Sequence, residues 1–213
     1  MKQTAADIWS AVHLERGALF EDLQSLDAAA WMKPSACPGW DVHDVLAHLI
    51  DSAKTTRLGF ISRLIAAGFD FDKDNARGIA KEKRSDPEET LAAFGEVITL
   101  TNTPPADRAT RLVEAYVHGE DIRRVLEIHG NYPTHQLRTA LSYQLRTSVK
   151  MGGGKELAAG WKLVATDADF EYGQGPQVQG SVLALLLAVS GRPLNTQELT
   201  GVGADEFLKR RAG

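Results

Sequence analysis

The chain is 213 residues long, 43% hydrophobic and 24% charged, with a formal net charge of −4 at pH 7; that length suits one large domain or two small ones, with enough chain to bury a sizeable core. The acidic balance argues against a nucleic-acid partner, which ordinarily needs a basic surplus, and no stretch approaches the roughly 18 uninterrupted apolar residues of a membrane helix. Cys37 is the single cysteine, so no internal disulfide is possible, and with no signal-like apolar segment in MKQTAADIWS the expected location is the reducing cytoplasm.

Ile8, Val12, Leu19, Leu23 and Leu26 recur at helical spacing and predict a first helix. The breaker-rich run Lys33–Trp40 predicts a loop. Asp41 then offers an N-cap, and Val42, Val45, Leu46, Leu49 and Ala53 mark the apolar stripe of a second helix reaching about Gly68. Residues 70–86 are charged and poor in apolar positions, which predicts a surface connection. Asp86-Pro87-Glu88-Glu89 starts a third helix, with proline in the first turn and acids near the positive dipole end. Leu91, Phe94 and Ile98 form its buried face, and Pro104-Pro105 stops it. A fourth helix covers roughly 106–129 and ends at Gly130. A fifth runs from about Thr134 through Leu137, Leu141 and Leu145 to Gly152-Gly153-Gly154.

Long helices on modest connections predict an antiparallel four-helix bundle over residues 1–152. Beyond it, Trp161–Thr166 and Asp169–Tyr172 read as a hairpin around Asp167-Ala168. Gln179–Ser190 reads as an apolar helix closed by Gly191, and Ala204–Arg211 as a last amphipathic helix. Residues 155–213 are therefore expected to form a small α+β element.

The chemistry concentrates in Arg111–Arg124, RLVEAYVHGEDIRR. Glu114, His118 and Asp121 project into the apolar stripe marked by Val117, Val125 and Ile128, and Glu114 and His118 lie one turn apart. Burying a carboxylate and an imidazole costs several kcal/mol unless each finds a partner. A divalent metal satisfies both, and the i, i+4 spacing is that of helical metal motifs. The ordinary alternative is a solvated or hydrogen-bonded pair, because Glu-x-x-x-His arises by chance in many helices. His48, at the margin of the second helix's stripe, supplies a third ligand if that helix faces the fourth; otherwise it is a core histidine with one hydrogen bond. Three nitrogen and oxygen ligands with one open position describe a catalytic zinc site. Asp121 suits an acceptor that orients an imidazole, or an ion pair to Arg124 or Arg111.

Cys37 and Trp40 read as loop-packing residues, with metal or thiol chemistry the alternative for Cys37 and a pocket wall for Trp40. Gly152–Gly154 lacks the lysine and spacing of a phosphate loop and reads as a helix stop. His13, His43, His129 and His135 show no partner pattern and are expected to be exposed.

The run Trp31-x-x-Pro34-Ser35-x-Cys37-Pro38-Gly39-Trp40-Asp41-Val42-x-Asp44-Val45-Leu46-Ala47-His48-Leu49 closely resembles the N-terminal domain of mycothiol-dependent maleylpyruvate isomerases, within the wider DinB-like helical bundle group. Glu114-x-x-x-His118-x-x-Asp121 is similar to that family's second metal motif, and Leu163–Asp167 with Gly180–Gly191 resembles its small C-terminal domain. The resemblance implies a mainly α protein: a DinB-like bundle followed by the α+β element. It implies zinc, or another divalent metal, on His48, Glu114 and His118, with mycothiol's sulfur at the open position. In the named isomerase chemistry that thiol adds to the cis double bond of maleylpyruvate, the resulting single bond rotates, and elimination gives fumarylpyruvate, with no protein nucleophile. It also implies an arginine for the substrate carboxylates, for which Arg192 is the candidate and Arg111 and Arg124 are alternatives. The other reading of Arg192 is a helix-end residue satisfying carbonyls. The chain is short between its second and fourth helices relative to the isomerase, which would reshape the pocket. The expected function is thus that of an isomerase or thiol transferase acting on a small electrophile. A metal-dependent hydrolase and a non-catalytic binding module are the alternatives.

Overall fold

The computed structural model describes residues 4–211 and divides the chain into two compact units, Met1–Gly130 and Asn131–Gly213. In the first unit, α1 (Ala5–Leu23) begins at a capping box made by Thr4 and Asp7 and buries Ile8, Val12, Leu19 and Leu23. A four-residue helix, α2 (Ala28–Trp31), leads into the Lys33–Trp40 loop. Asp41 and Asp44 form a second capping box that fixes the start of α3 (Val42–Lys54), the most buried helix of this unit.

The second predicted helix does not run on to Gly68. It breaks at Thr55-Thr56, where Thr55 is extended and the Thr56 hydroxyl accepts from Gly59 N to start α4 (Arg57–Ala66). A threonine hydroxyl that caps a new helix competes with continuing the old one. The surface connection expected at 70–86 is corrected likewise, since α5 (Phe71–Glu82) lies there. Its buried positions are Asp74, Gly78, Ile79 and Glu82, so its inner face carries charge and shows no apolar period. Arg63 bridges Asp51 at 2.8 Å and Asp74 at 3.0 Å, and Lys54 meets Glu82 at 2.6 Å. Gly78 allows the close packing of α5 on α3, because a Cβ there would collide with the Asp51 carboxylate.

Helix α6 (Pro87–Val97) starts at Asp86 as expected and buries Leu91, Phe94 and Val97; it ends before Pro104, and Ile98 is half-buried. Arg16 Nη1 donates to Val97 O, Ile98 O and Leu100 O, which satisfies the carbonyls at that end. Helix α7 (Thr110–Arg123) is shorter than the predicted 106–129 and closes in a 3₁₀ turn, Arg124–Leu126.

Helices α1, α3, α6 and α7 make the four-helix bundle, α1 and α3 each packing on both α6 and α7. Phe20 lies against Gly95 and Arg16 reaches Val97, so α1 and α6 run in opposite directions. His48 faces Glu114 and Ser52 faces Arg111, which makes α3 and α7 antiparallel too. By contrast, α3 and α6 run the same way: His43 meets Thr90 near both starts, and Asn102 reaches Ala53 O beyond both ends. Parallel neighbours need a connection that travels back along the bundle, and α4 and α5 occupy that connection.

In the second unit α8 (Thr134–Arg146) packs on α9 (Val182–Val189). The boundary between the compact units thus falls at Gly130, ahead of the expected 152. The Leu137, Leu141 and Leu145 stripe announces burial without saying against what. The expected hairpin is present, β1 (Lys162–Ala165) pairing antiparallel with β2 (Glu171–Tyr172). A third strand, β3 (Gln177–Gly180), pairs parallel with β1 and replaces the start of the predicted Gln179–Ser190 helix. Ser181 then caps α9, whose residues from Ala184 to Val189 are all buried. Helix α8 stops at Arg146, where Thr147 turns extended, ahead of the glycine run expected to end it; Gly152, at φ +75, instead closes a 3₁₀ turn at Val149–Met151, and Gly154 packs where a Cβ would strike Val189 O. Helix α10 (Ala204–Arg211) completes the unit against β3. No helix among the described residues is long and apolar enough to cross a membrane.

Candidate metal centre

Two helices and one loop of the first unit supply the centre. The Asp41 cap sets the phase of α3 and turns His48 inward, leaving it 7% exposed. On α7, Glu114 and His118 stand one turn apart on the side facing α3. His48 Nε2 lies 3.3 Å from Glu114 Oε2, the two imidazole rings are 4.7 Å apart, and one ligand atom from each of the three residues falls within 4.8 Å of the others. Trp40 covers both rings, at 4.9 Å from His48 and 5.9 Å from His118. It is therefore a wall of this site as well as an anchor for its loop.

The donor set fits a divalent cation. Glu114 Oε2 and His48 Nδ1 are buried without a hydrogen-bond partner among the described residues, which is costly unless another group completes them. Burial alone would raise the Glu114 carboxyl, but His48, Arg111 and His118 outweigh it and hold the group well below the usual carboxylate range. Burial pushes the His118 imidazole down, against the pull of Asp121. A charged carboxylate and a neutral imidazole are the protonation states that a metal requires.

His118 Nδ1–H donates to Asp121 Oδ2 at 2.9 Å, and Asp121 is fully buried. That bond fixes the ring and leaves Nε2 as the ligating nitrogen. Asp121 also anchors the loop, its backbone carbonyl accepting from Ala36 N at 2.9 Å. Cys37, half-buried, consequently sits beside His118 and Asp121, its sulfur within 4.8 Å of a ligand atom of each. Arg124 pairs with Glu120 at 2.9 Å. Arg192, in the second unit, donates from Nη1 to Ser190 O at 2.9 Å, the carbonyl-satisfying contact of a helix-end arginine.

Arg111, which the sequence offers only as an alternative carboxylate-binding arginine or a partner of Asp121, has a further role that spacing alone does not reveal. Arg111 Nη1 donates to Ser52 O at 3.1 Å and Ser52 Oγ at 2.8 Å, one turn along both helices from the centre, and so ties α3 to α7 at that level. The signal was present in the Arg111/Glu114/His118 phase, which places all three on one side of α7. The histidine expectations divide. His129 and His135 are exposed and His13 is half-buried. His43 is corrected: it is 3% exposed, packed on Trp31 and 2.7 Å from Thr90 Oγ1.

Asp121→Asn is expected to weaken metal affinity by about 10–100-fold while the fold is kept. Competition with a chelator, together with a thermal melt, measures this; unchanged affinity in a folded variant would show that Asp121 does not orient His118.

Residues 12–109 match the family described as Mycothiol maleylpyruvate isomerase N-terminal domain. The matched stretch contains the loop, α3 and His48; Glu114 and His118 lie beyond it. Two crystal structures share the fold, that of the mycothiol-dependent maleylpyruvate isomerase and that of a histidine-to-alanine mutant of the same protein. Each aligns with a TM-score of 0.68 at 16% identity, covering 95% of this chain and 94% of the other. No curated protein matches the sequence.

Proposed function

We propose that this chain, whose residues 12–109 match the mycothiol maleylpyruvate isomerase N-terminal domain, is a divalent-metal enzyme that uses a small thiol, mycothiol, to isomerise or modify a small electrophile of the maleylpyruvate type. The observation that carries the reading is the meeting of His48, Glu114 and His118, with a buried carboxylate oxygen that no donor satisfies. These three residues would hold the metal, zinc in the first instance, and leave a coordination position open. When bound, the metal supplies Lewis acidity that lowers the pKa of a thiol enough to make it a nucleophile near neutral pH.

The chain's own contribution is positional. Asp121 keeps the His118 Nδ1 proton in place, so that Nε2 stays a lone-pair donor. Trp40 shields both imidazoles on one side, which lowers the local dielectric and strengthens each charge interaction there. Arg111 holds α3 and α7 together beside the ligands and contributes positive charge near Glu114. The same three ligands would serve a hydrolase, with water in place of the thiol.

The deciding experiment is turnover of maleylpyruvate by zinc-loaded protein with and without mycothiol, followed as fumarylpyruvate formation. Isomerisation that requires the thiol is expected. Consumption of substrate with no thiol present would favour the hydrolase, and metal binding with no thiol-dependent turnover of any maleyl-type electrophile would favour the non-catalytic module.

A further inference from the structure

Helix α4 is turned inside out. None of its residues is buried, and Leu58, Ile61 and Ile65 are 81%, 46% and 59% exposed. At about 100° per residue these three fall within roughly 60° of arc. Phe69, 71% exposed and held at φ +63, follows just past the helix end. The opposite side does the docking, and it does so largely through polar groups: Arg63 bridges Asp51 and Asp74, and Arg77 Nη1 donates to Ala66 O. A ten-residue helix is marginal in water without an apolar face to bury. Here the apolar face is the one left open, and it forms a contiguous patch, whereas large exposed hydrophobics elsewhere, such as Leu14 and Val202, stand singly.

We propose that a second copy of this chain covers this face, α4 packing against α4 about a two-fold axis between Ile61 and Ile65. In an antiparallel pair of that register Ile61 meets the second copy's Ile65, and Leu58 meets its Gly68 and Phe69. Arg57 then falls beside the second copy's Asp70, twice over by symmetry. Arg57 is exposed and has no ion-pair partner among the described residues, and Asp70 is exposed at the start of α5. The rim is thus complementary to itself. Its exposed charges are nearly balanced, Arg57, Lys73 and Arg77 against Asp70 and Asp72, which suits a second copy better than an anionic lipid surface or a strongly charged peptide. One helix face is smaller than the roughly 800 Å² per partner of a standard interface, so the dimer is weak and concentration-dependent. The proposal concerns the outer face of α4 and is independent of the metal centre.

Sedimentation velocity on the full chain from about 1 to 200 µM, a range spanning affinities of this order, tests it. Wild-type protein is expected to shift from monomer to dimer. Ile65→Glu is expected to weaken the dimer at least tenfold, with circular dichroism and metal content unchanged. Arg57→Asp and Asp70→Arg chains, each self-repelling, are expected to associate with one another when mixed and not alone. A wild-type protein that stays monomeric throughout would overturn the proposal, whether the face then binds lipid vesicles or nothing. A dimer indifferent to Ile65→Glu would overturn it as well.

Discussion

Glu114→Gln is expected to abolish metal binding and thiol-dependent turnover and to leave the apoprotein somewhat less stable than wild type near neutral pH. The glutamine is isosteric and fills the same space between His48 and His118. It removes a charge that His48, Arg111 and His118 favour over the neutral form despite burial, so its loss costs the apoprotein some stability near neutral pH. With the cation, the loss is larger. A ligand loss exceeds the roughly 10–100-fold effect of changes around the ligands, and a fall in affinity of about 10³-fold or more is expected. Thermal melts give a second reading: wild-type protein gains about 4 kcal/mol at a metal concentration 1,000 times its Kd, and Glu114→Gln gains about 0.4 kcal/mol or less. His48→Ala and His118→Ala should share the loss of metal. A Glu114→Gln protein that melts higher on adding zinc, as wild type does, would remove Glu114 from the centre.

The largest expected loss of stability is at Arg123→Met. Arg123 is 1% exposed and bridges Glu15, itself buried, and Asp22 at 2.7 Å, which ties α7 to α1. Removing one member of a buried charge cluster costs about 3–5 kcal/mol, because the remaining charge is left without compensation. The pH dependence has a definite sign. Burial raises the Glu15 carboxyl to about 7, with Arg123 pulling it back down. A carboxyl whose folded pKa lies above its unfolded value favours folding below the unfolded pKa, and that contribution disappears as pH rises through the folded pKa. Without Arg123 the folded pKa climbs further, so Arg123→Met should lose more stability at about pH 8 than at about pH 5. Urea unfolding at the two pH values measures the difference. An equal loss at both would mean that Glu15 is not the group left uncompensated.

How much was legible in the chain depends on what each residue buries against. The Asp41 cap, the Leu46 and Leu49 stripe and the Asp86-Pro87 start are local signals, and the helices begin where those signals stand. Glu114, His118 and Asp121 were readable because three polar residues fall on one apolar stripe. That His48 meets them depends on α3 and α7 being neighbours, which periodicity does not encode. Helix α5 was hidden because Asp74 and Glu82 are buried by ion pairs with Arg63 and Lys54, and an apolar period cannot register a charged interior. The same limit applies to Arg111 and Arg123, each an ordinary surface arginine by composition and each buried by its partners. The strand β3 is four residues with one buried valine, Val178, too short to outweigh the apolar run that follows it.

The central claim is that His48, Glu114 and His118 share one cation and leave a place on it for a thiol. Cobalt(II) substitution followed by absorption spectroscopy tests it most directly, using the Cys37→Ser protein so that no sulfur of the chain contributes. The account predicts binding of one cobalt per chain, and a sulfur-to-cobalt charge-transfer band that grows saturably as the thiol is added. Cobalt that binds equally well to Glu114→Gln, or a spectrum that the thiol leaves unchanged, would contradict it.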